Sequence, residues 1–264
     1  MAKKMYIGVN GVARKVKTPY IGVDSKARKV KAGYIGVNGV ARKFYEGSAP
    51  LSELPVGSSV YLNVNGTRTE FLVVHNGLPS SMYDSSCNGT WLMMKNIYTK
   101  LAWDSSDNNY QYSDIHAYLN GTFLSMFDSN IKSVIKSVRI PCMNNTGNTG
   151  SVITGSNGFP TKIFLLSGYE VGWTTSNDSS FPVDGVCLDY FKNMSTTDTK
   201  RIGYYNGTAT HWWLRSPSTR SANIIWYVTN KGGYSDNGYY DVWGVRPAFV
   251  LPSETLVADG EIIT

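Results

Sequence analysis

A chain of 264 residues with 42% apolar side chains can bury one large core or two modest ones, and with only 17% charged residues its surface is polar mainly through Ser, Thr, Asn and Gly. No apolar run approaches the roughly 18 residues of a membrane helix. Three scattered cysteines, Cys87, Cys142 and Cys187, argue against a disulfide framework or a cysteine-based zinc site. The net charge of +6 is unevenly divided: residues 1–45 hold 11 Lys/Arg against the single acid Asp24, and the other 14 bases face 18 acids. A basic head on a mildly acidic body predicts two modules. The start, Met1-Ala-Lys-Lys-Met5, lacks the apolar stretch of a signal peptide, so synthesis in a bacterial-type cytoplasm is expected. The 18 Tyr and 7 Trp suit either a contact surface or a β-rich core.

In chain order, a repeat comes first. Tyr6-Ile-Gly-Val-Asn-Gly-Val-Ala-Arg-Lys-Val16 recurs from Tyr20 to Val30 and from Tyr34 to Phe44, with a period of 14 residues. Each unit predicts a β-hairpin, because Asn10-Gly11 and Asn38-Gly39 favour the two positive-φ positions of a type I′ turn and Asp24-Ser25 is a weaker version. Isolated hairpins are marginal in water, so residues 1–46 are expected to serve as an anchor or oligomerisation element. Their Arg-Lys pairs lack interleaved stacking aromatics, which argues against nucleic acid. The repeats resemble short basic units at the start of many phage structural proteins. That resemblance implies attachment to a virion or self-association, often as a trimer.

Gly47-Ser-Ala-Pro50 reads as a linker into a domain over 48–252. Tyr61-Leu-Asn-Val64 and Thr69-Glu-Phe-Leu-Val-Val74 predict a hairpin, and Thr90 to Lys95 a buried strand. Ser113 is a candidate N-cap for a helix bearing Ile115, Tyr118, Leu119 and Phe123. Asp128 or Ser129 would start a second helix with an apolar face of Ile131, Val134, Ile135 and Val138, stopped by Pro141. His116 lacks a nucleophile or carboxylate partner and reads as a packing histidine rather than a base. A polar loop over 144–158, a strand at Lys162–Leu166 and many short strands follow, giving an α+β domain. Residues 253–264 read as a tail.

His211-Trp-Trp-Leu-Arg-Ser-Pro217 and Gly244-Val-Arg-Pro-Ala-Phe249 are similar to the end of a C-type-lectin-fold family of gut bacteria and their phages. Leu54-Pro-Val-Gly57, Gly89-Thr-Trp-Leu92, Tyr118-Leu-Asn120 and Arg139-Ile-Pro141 carry the same resemblance across roughly residues 48–252. The resemblance implies a C-type-lectin-like fold, shared with formylglycine-generating enzymes and with the variable proteins of diversity-generating retroelements. It makes Trp212, Trp213, Leu214, Arg215, Arg246 and Phe249 the scaffold beneath an exposed surface.

Between the two motifs, 14 of the 26 residues from 218 to 243 are Asn, Tyr, Ser, Thr or Asp. Rigid aromatics beside small hydrogen-bonding groups match the composition of antibody contact surfaces, and a loop-rich β-sheet favours the same residues. Asn codons are rich in adenine, the base that retroelement mutagenesis replaces, so the segment also reads as one diversified by such an element. Strand alternation would turn Asn223, Ile225 and Tyr227 outward, opposite Ala222, Ile224, Trp226 and Val228. The expected ligand-binding set is Ser218, Thr219, Arg220, Asn223, Ile225, Tyr227, Tyr234, Ser235, Asp236, Asn237, Tyr239, Tyr240, Asp241 and Trp243.

The function expected is non-enzymatic: a phage tail protein that binds a host-surface protein or glycan, made in the bacterial cytoplasm and carried on the virion. The alternative is a lectin-like adhesin on the bacterial surface. An enzyme of the formylglycine-generating type is disfavoured, because no cysteine follows Cys187. No catalytic residue, cofactor or membrane insertion is expected. The sugar-site triplets of calcium-dependent lectins are missing, so no metal is expected, although Asp178, Asp184 and Asp189 carry suitable oxygens.

Overall fold

The computed structural model describes residues 6–9, 11–16, 19–30, 32–258 and 260–263, with the main chain only at 8, 9, 15, 29 and 42–46. Strand dominates, with a minority of short helical segments, an arrangement compatible with α+β. Among the described residues, no helix is long and apolar enough to cross a membrane.

Each 14-residue unit forms one two-stranded hairpin: Tyr6–Val9 with Val12–Lys15, Tyr20–Val23 with Lys26–Lys29, and Ala32–Val37 with Val40–Glu46. Asp24 and Ser25, and likewise Asn38 and Gly39, hold φ between 51° and 75°, the paired left-handed values of a type I′ turn. Asn10 lies outside the described residues; its turn partner Gly11 has φ 77°. The hairpins bury little of their own apolar surface. Tyr6, Ile7, Tyr20, Ile21, Tyr34 and Ile35 are each 49–61% exposed.

The rest of the chain builds two large sheets and three two-stranded ladders around one core. The larger has eight strands in the order Ile163–Phe164, Ala248–Leu251, Gly89–Met94, Thr67–Gly77, Ser59–Val64, Glu261–Ile263, Leu256–Ala258 and Ala49–Pro50. Ser59–Val64 alternates between core and solvent, as a strand with one wet face must. Gly89–Met94 is buried at all six positions, because neighbouring strands flank it and other elements cover both its faces. Trp91 packs edge-on against Tyr83 and Phe164, and Phe71, Phe123, Phe127 and Phe249 form a second aromatic cluster.

Both ends of the domain differ from expectation. Residues 256–258 and 261–263, expected as a tail, are strands of this sheet, with Val257 and Ala258 buried. Ala49–Pro50, expected as linker, pairs with Leu256–Val257. These segments are short and turn-rich, and their burial is supplied by partners about 200 residues away, which local patterning does not encode.

The first helix begins where expected: Ser113 Oγ accepts the His116 N–H at 3.3 Å. It runs over Asp114–Tyr118 and continues as a π-turn over Leu119–Phe123. Asn120 Oδ1 accepts the N–H groups of Lys162 and Ile163, both at 3.1 Å, tying this turn to the sheet edge. The second helix covers only Ser129–Val134. Val138, expected on its face, instead lies in the strand Val138–Ile140, paired with Phe159–Thr161. The i, i+3, i+4 spacing was present, but sheet pairing overrode it.

Candidate binding surface

The smaller sheet carries the first motif and the start of the second, whose Ala248 and Phe249 belong to the larger sheet. Its order is Thr99–Ala102, Val242–Val245, Trp212–Pro217, Ile224–Val228 and Tyr234–Gly238, so Tyr234–Gly238 is an edge strand. Trp212–Pro217 is buried at every position. Its indoles donate to main-chain oxygens: Trp212 to Arg201 at 2.9 Å and Trp213 to Leu101 at 3.0 Å.

Arg215 is fully buried and uses its whole fork. It donates to both carboxylate oxygens of Glu170 at 2.6 and 2.7 Å, and to the carbonyls of Pro141, Leu165 and Asp184. Burial alone would lower the Arg215 pKa, but the Glu170 charge and bonds outweigh it and raise it, so the guanidinium stays charged. Glu170 also accepts from the Tyr83 hydroxyl at 2.9 Å and the Ser167 N–H at 2.9 Å. Beside this pair, Ser216 Oγ donates to Asp184 Oδ2 at 2.7 Å, while Asp184 Oδ1 is buried without a partner. Burial pushes the Asp184 carboxyl up to about 6, against the opposing pull of Arg215. Arg246 donates to the carbonyls of Met94, Arg201 and Lys95 and lies 5.0 Å above the Trp212 ring. The six residues expected as scaffold are all at most 1% exposed.

The expected surface set divides. Ser218, Ile225 and Tyr227 are buried, at 2%, 0% and 9% exposure, which corrects their assignment to the contact surface. Ile224–Val228 lies between two strands and is covered on both faces, so alternation does not turn one set of side chains to solvent. Trp226 stacks on Phe181 at 4.0 Å, and Tyr227 lies against His211, Trp213 and Trp243. Ser218 sits where the chain at Gly147 comes so close that a Cβ there would lie 2.0 Å from its carbonyl oxygen.

Thr219, Arg220 and Tyr234 lean on the 177–180 loop. Thr219 N–H donates to Ser180 O at 3.0 Å, Arg220 pairs with Asp178, and the Tyr234 hydroxyl donates to Asn177 O at 2.9 Å. The other residues lie on or beside the edge strand and in the turn after it, except Trp243, which stands on Val242–Val245 with two strands between and packs on His211 and Tyr227. Asn223, Asp236, Asn237 and Tyr240 are exposed, while Ser235, Tyr239, Asp241 and Trp243 are half-buried. Those around the edge strand are close neighbours: Asn237 is cross-strand from Ile225, Tyr239 N–H donates to Asn223 O at 3.0 Å, and the Tyr239 and Tyr240 rings lie 5.5 Å apart. Val242, not in the expected set, adds an apolar side chain 52% exposed.

His116 packs on Tyr110 and Phe159, and its Nε2 lies 3.2 Å from Thr161 Oγ1. Burial pushes its pKa down to about 4, so it is neutral at pH 7. Asp178, Asp184 and Asp189 do not converge: the first pairs with Arg220, the second is buried beside Ser216, and the third pairs with His75 and Lys192. Glu170, Tyr83 and Arg201 were not anticipated as core polar groups. Glu170 lies a few residues beyond the apolar run Ile163-Phe-Leu-Leu166, in a turn that the sequence marks as polar. Arg201 carries no signal of burial either.

The family described as "Domain of unknown function (DUF6273)" matches residues 88–253. No curated protein and no solved structure matches the chain.

Proposed function

On the footing that the chain belongs to the DUF6273 family, we propose that it is a non-enzymatic binding protein of C-type-lectin-like fold. Its contact surface is the cluster of Asn223, Asp236, Asn237, Tyr239, Tyr240, Asp241 and Trp243. The observation that carries this reading is a contrast within one sheet: Asp236 and Asn237 on the edge strand, with Asn223 and Tyr240 in the turns beside it, are exposed, while the next two strands inward hold the buried Trp226, Trp213 and Arg215. Rigid support under an adaptable rim is what a recognition surface needs. The thiols support the absence of cysteine chemistry, since burial pushes Cys87 and Cys142 up to about 12 and a nucleophile must be a thiolate.

The basic repeats and the resemblance to phage proteins support a role on a virion, with the hairpins as anchor and a host-surface protein or glycan as partner. The Asn- and Tyr-rich composition of the surface supports diversification by a retroelement. The test uses labelled full-length protein titrated onto a panel of bacterial cells. Replacing Asn223, Asn237 and Tyr240 together by Ala is expected to weaken binding to a responsive strain at least tenfold, as loss of an interface anchor does, with an unchanged melting curve. Full binding by that variant would overturn the site. Diversification is tested in the neighbouring DNA, which is expected to hold a reverse transcriptase beside a near-copy of the region coding for residues 211–249.

A further inference from the structure

Arg246 is 1% exposed and has no carboxylate within ion-pair distance among the described residues. Its partners are three main-chain carbonyls and the Trp212 ring. Arg215, in contrast, has Glu170. A buried charge answered only by dipoles keeps a strong attraction for an anion, because the surrounding protein screens it poorly. Burial accordingly pulls the Arg246 pKa down to about 10.

Arg246 also forms part of the wall of a cavity of about 170 Å³, together with Leu72, Lys95, Asn96, Tyr190, Thr199, Lys200, Ile202 and Tyr204. Three cations line this cavity and no acid does. Glu70, outside the lining, pairs with Lys95 at 3.0 Å and answers that one charge. The Lys200 ammonium and the Arg246 guanidinium have no acidic side chain bonded to them among the described residues, the Asp198 carboxylate being taken up by the Lys200 main-chain N–H at 2.9 Å, and Asn96 and Thr199 supply neutral donors. Tyr190, Tyr204, Leu72 and Ile202 give the cavity an aromatic and aliphatic wall, which a bare inorganic ion would leave uncovered.

We propose that this cavity binds a small organic oxyanion, in which a carboxylate, sulfate or phosphate group faces Arg246 and Lys200 and its carbon body lies against Tyr190 and Tyr204. None of the surface residues around the edge strand lines it, so the proposal stands independently of receptor binding there.

The test is a set of thermal melts of the full chain at matched ionic strength, titrated with chloride, sulfate, phosphate, acetate or glucuronate. A saturable rise in Tm of about 2–4 °C at low millimolar concentration is expected for at least one oxyanion and not for chloride. Saturation separates binding from the general stabilisation by sulfate and phosphate, which grows steadily with concentration. Lys200→Glu, at an exposed position, places a carboxylate at the cavity and is expected to abolish the response while the protein stays folded. A stronger response to glucuronate than to acetate, reduced by Tyr204→Ala, would assign the group to a sugar-borne carboxylate; a response to phosphate or sulfate would assign it to those esters. A rise that never saturates, or one of equal size in Lys200→Glu, would overturn the proposal.

Discussion

Trp212–Pro217 and Tyr234–Gly238 belong to the same sheet with one strand between them, yet they answer to different constraints. The first is buried at all six positions, and the second has only Gly238 buried. Two arginines show what that means energetically. Arg215 and Glu170 are both 0% exposed at the side chain, whereas Arg220 is 62% exposed beside Asp178. Both are arginine–carboxylate pairs. In the first, desolvation makes each partner dependent on the other; in the second, water replaces either partner at little cost. Position in the sheet, more than residue type, decides which positions are free to change.

The largest expected effect breaks the buried pair. Arg215→Met leaves Glu170 buried without its cation, and removing one partner of such a pair costs about 3–5 kcal/mol. Urea denaturation is expected to show that loss, or soluble folded protein is not recovered. Arg220→Met is expected to change stability by about 0–1 kcal/mol. Equal losses in the two variants would erase the distinction between centre and edge. Arg215→Met combined with Glu170→Leu is expected to recover much of the loss, because neither member of the pair is then left buried without the other.

A smaller effect, with a pH signature, belongs to Asp184. Its carboxyl titrates at about 6 in the folded protein, above its ordinary value of 3.8. A raised folded pKa contributes stability that is fully present below about pH 4 and is lost as the pH rises through 6. Asp184→Asn keeps an acceptor for Ser216 and carries no charge. It is expected to be more stable than the native chain above pH 6, by on the order of 3 kcal/mol at most, and to differ little near pH 4. The measurement is the pH dependence of the difference in unfolding free energy. A difference that is flat with pH would mean Asp184 is already neutral at pH 7 or is solvated. His116 acts in the opposite sense: its depressed pKa contributes stability above about pH 6.5 that falls away as the pH drops towards 4.

Single changes at the edge, Tyr240→Ala or Asn237→Ala, are expected to stay within about 0.5 kcal/mol of the native chain. Differential scanning calorimetry checks this. A drop as large as that of Arg215→Met would place these side chains in the core of the fold rather than on a free surface.

What the sequence revealed follows the range of the forces involved. Local turn chemistry was legible, because Asp24-Ser25 and Asn38-Gly39 require only their own backbone to adopt positive φ. So was the Ser113 cap, whose hydroxyl and acceptor N–H are three residues apart. The scaffold role of Trp213, Arg215 and Arg246 was legible from their motifs. The error at Ile225 and Tyr227 has a specific cause: alternation predicts one wet face only for a strand with one open side. The Phe181 ring that covers Trp226 comes from a loop, and Trp213, Trp243 and His211 around Tyr227 come from or flank other strands of the sheet. The strands at 256–258 and 261–263 escaped notice for the same reason, since Tyr61 and Pro50 supply their partners.

The smallest expected effect concerns the repeats. Their tyrosines and isoleucines at 6–7, 20–21 and 34–35 stay about half exposed, while residues of the same types in the domain, such as Tyr110 and Ile115, are at 0%. Each hairpin is closed by its own turn and its own ladder, and a two-stranded ladder without a packed face adds little cooperative stability. The first strand of the large sheet begins at Ala49 and pairs with Leu256–Val257, so a chain cut after residue 46 keeps that pairing. Deleting residues 1–46 is therefore expected to shift the Tm of the remaining domain by no more than about 1 °C, a change under about 0.5 kcal/mol for a domain of this size. The same deletion is expected to remove self-association in sedimentation velocity, because the exposed Tyr and Ile faces that would pair between copies are gone. A truncated chain that melts far below the full one would make the hairpins part of the domain's core. One that self-associates as before would move the oligomer contact into residues 47–264, and the basic head would then have to act on another partner.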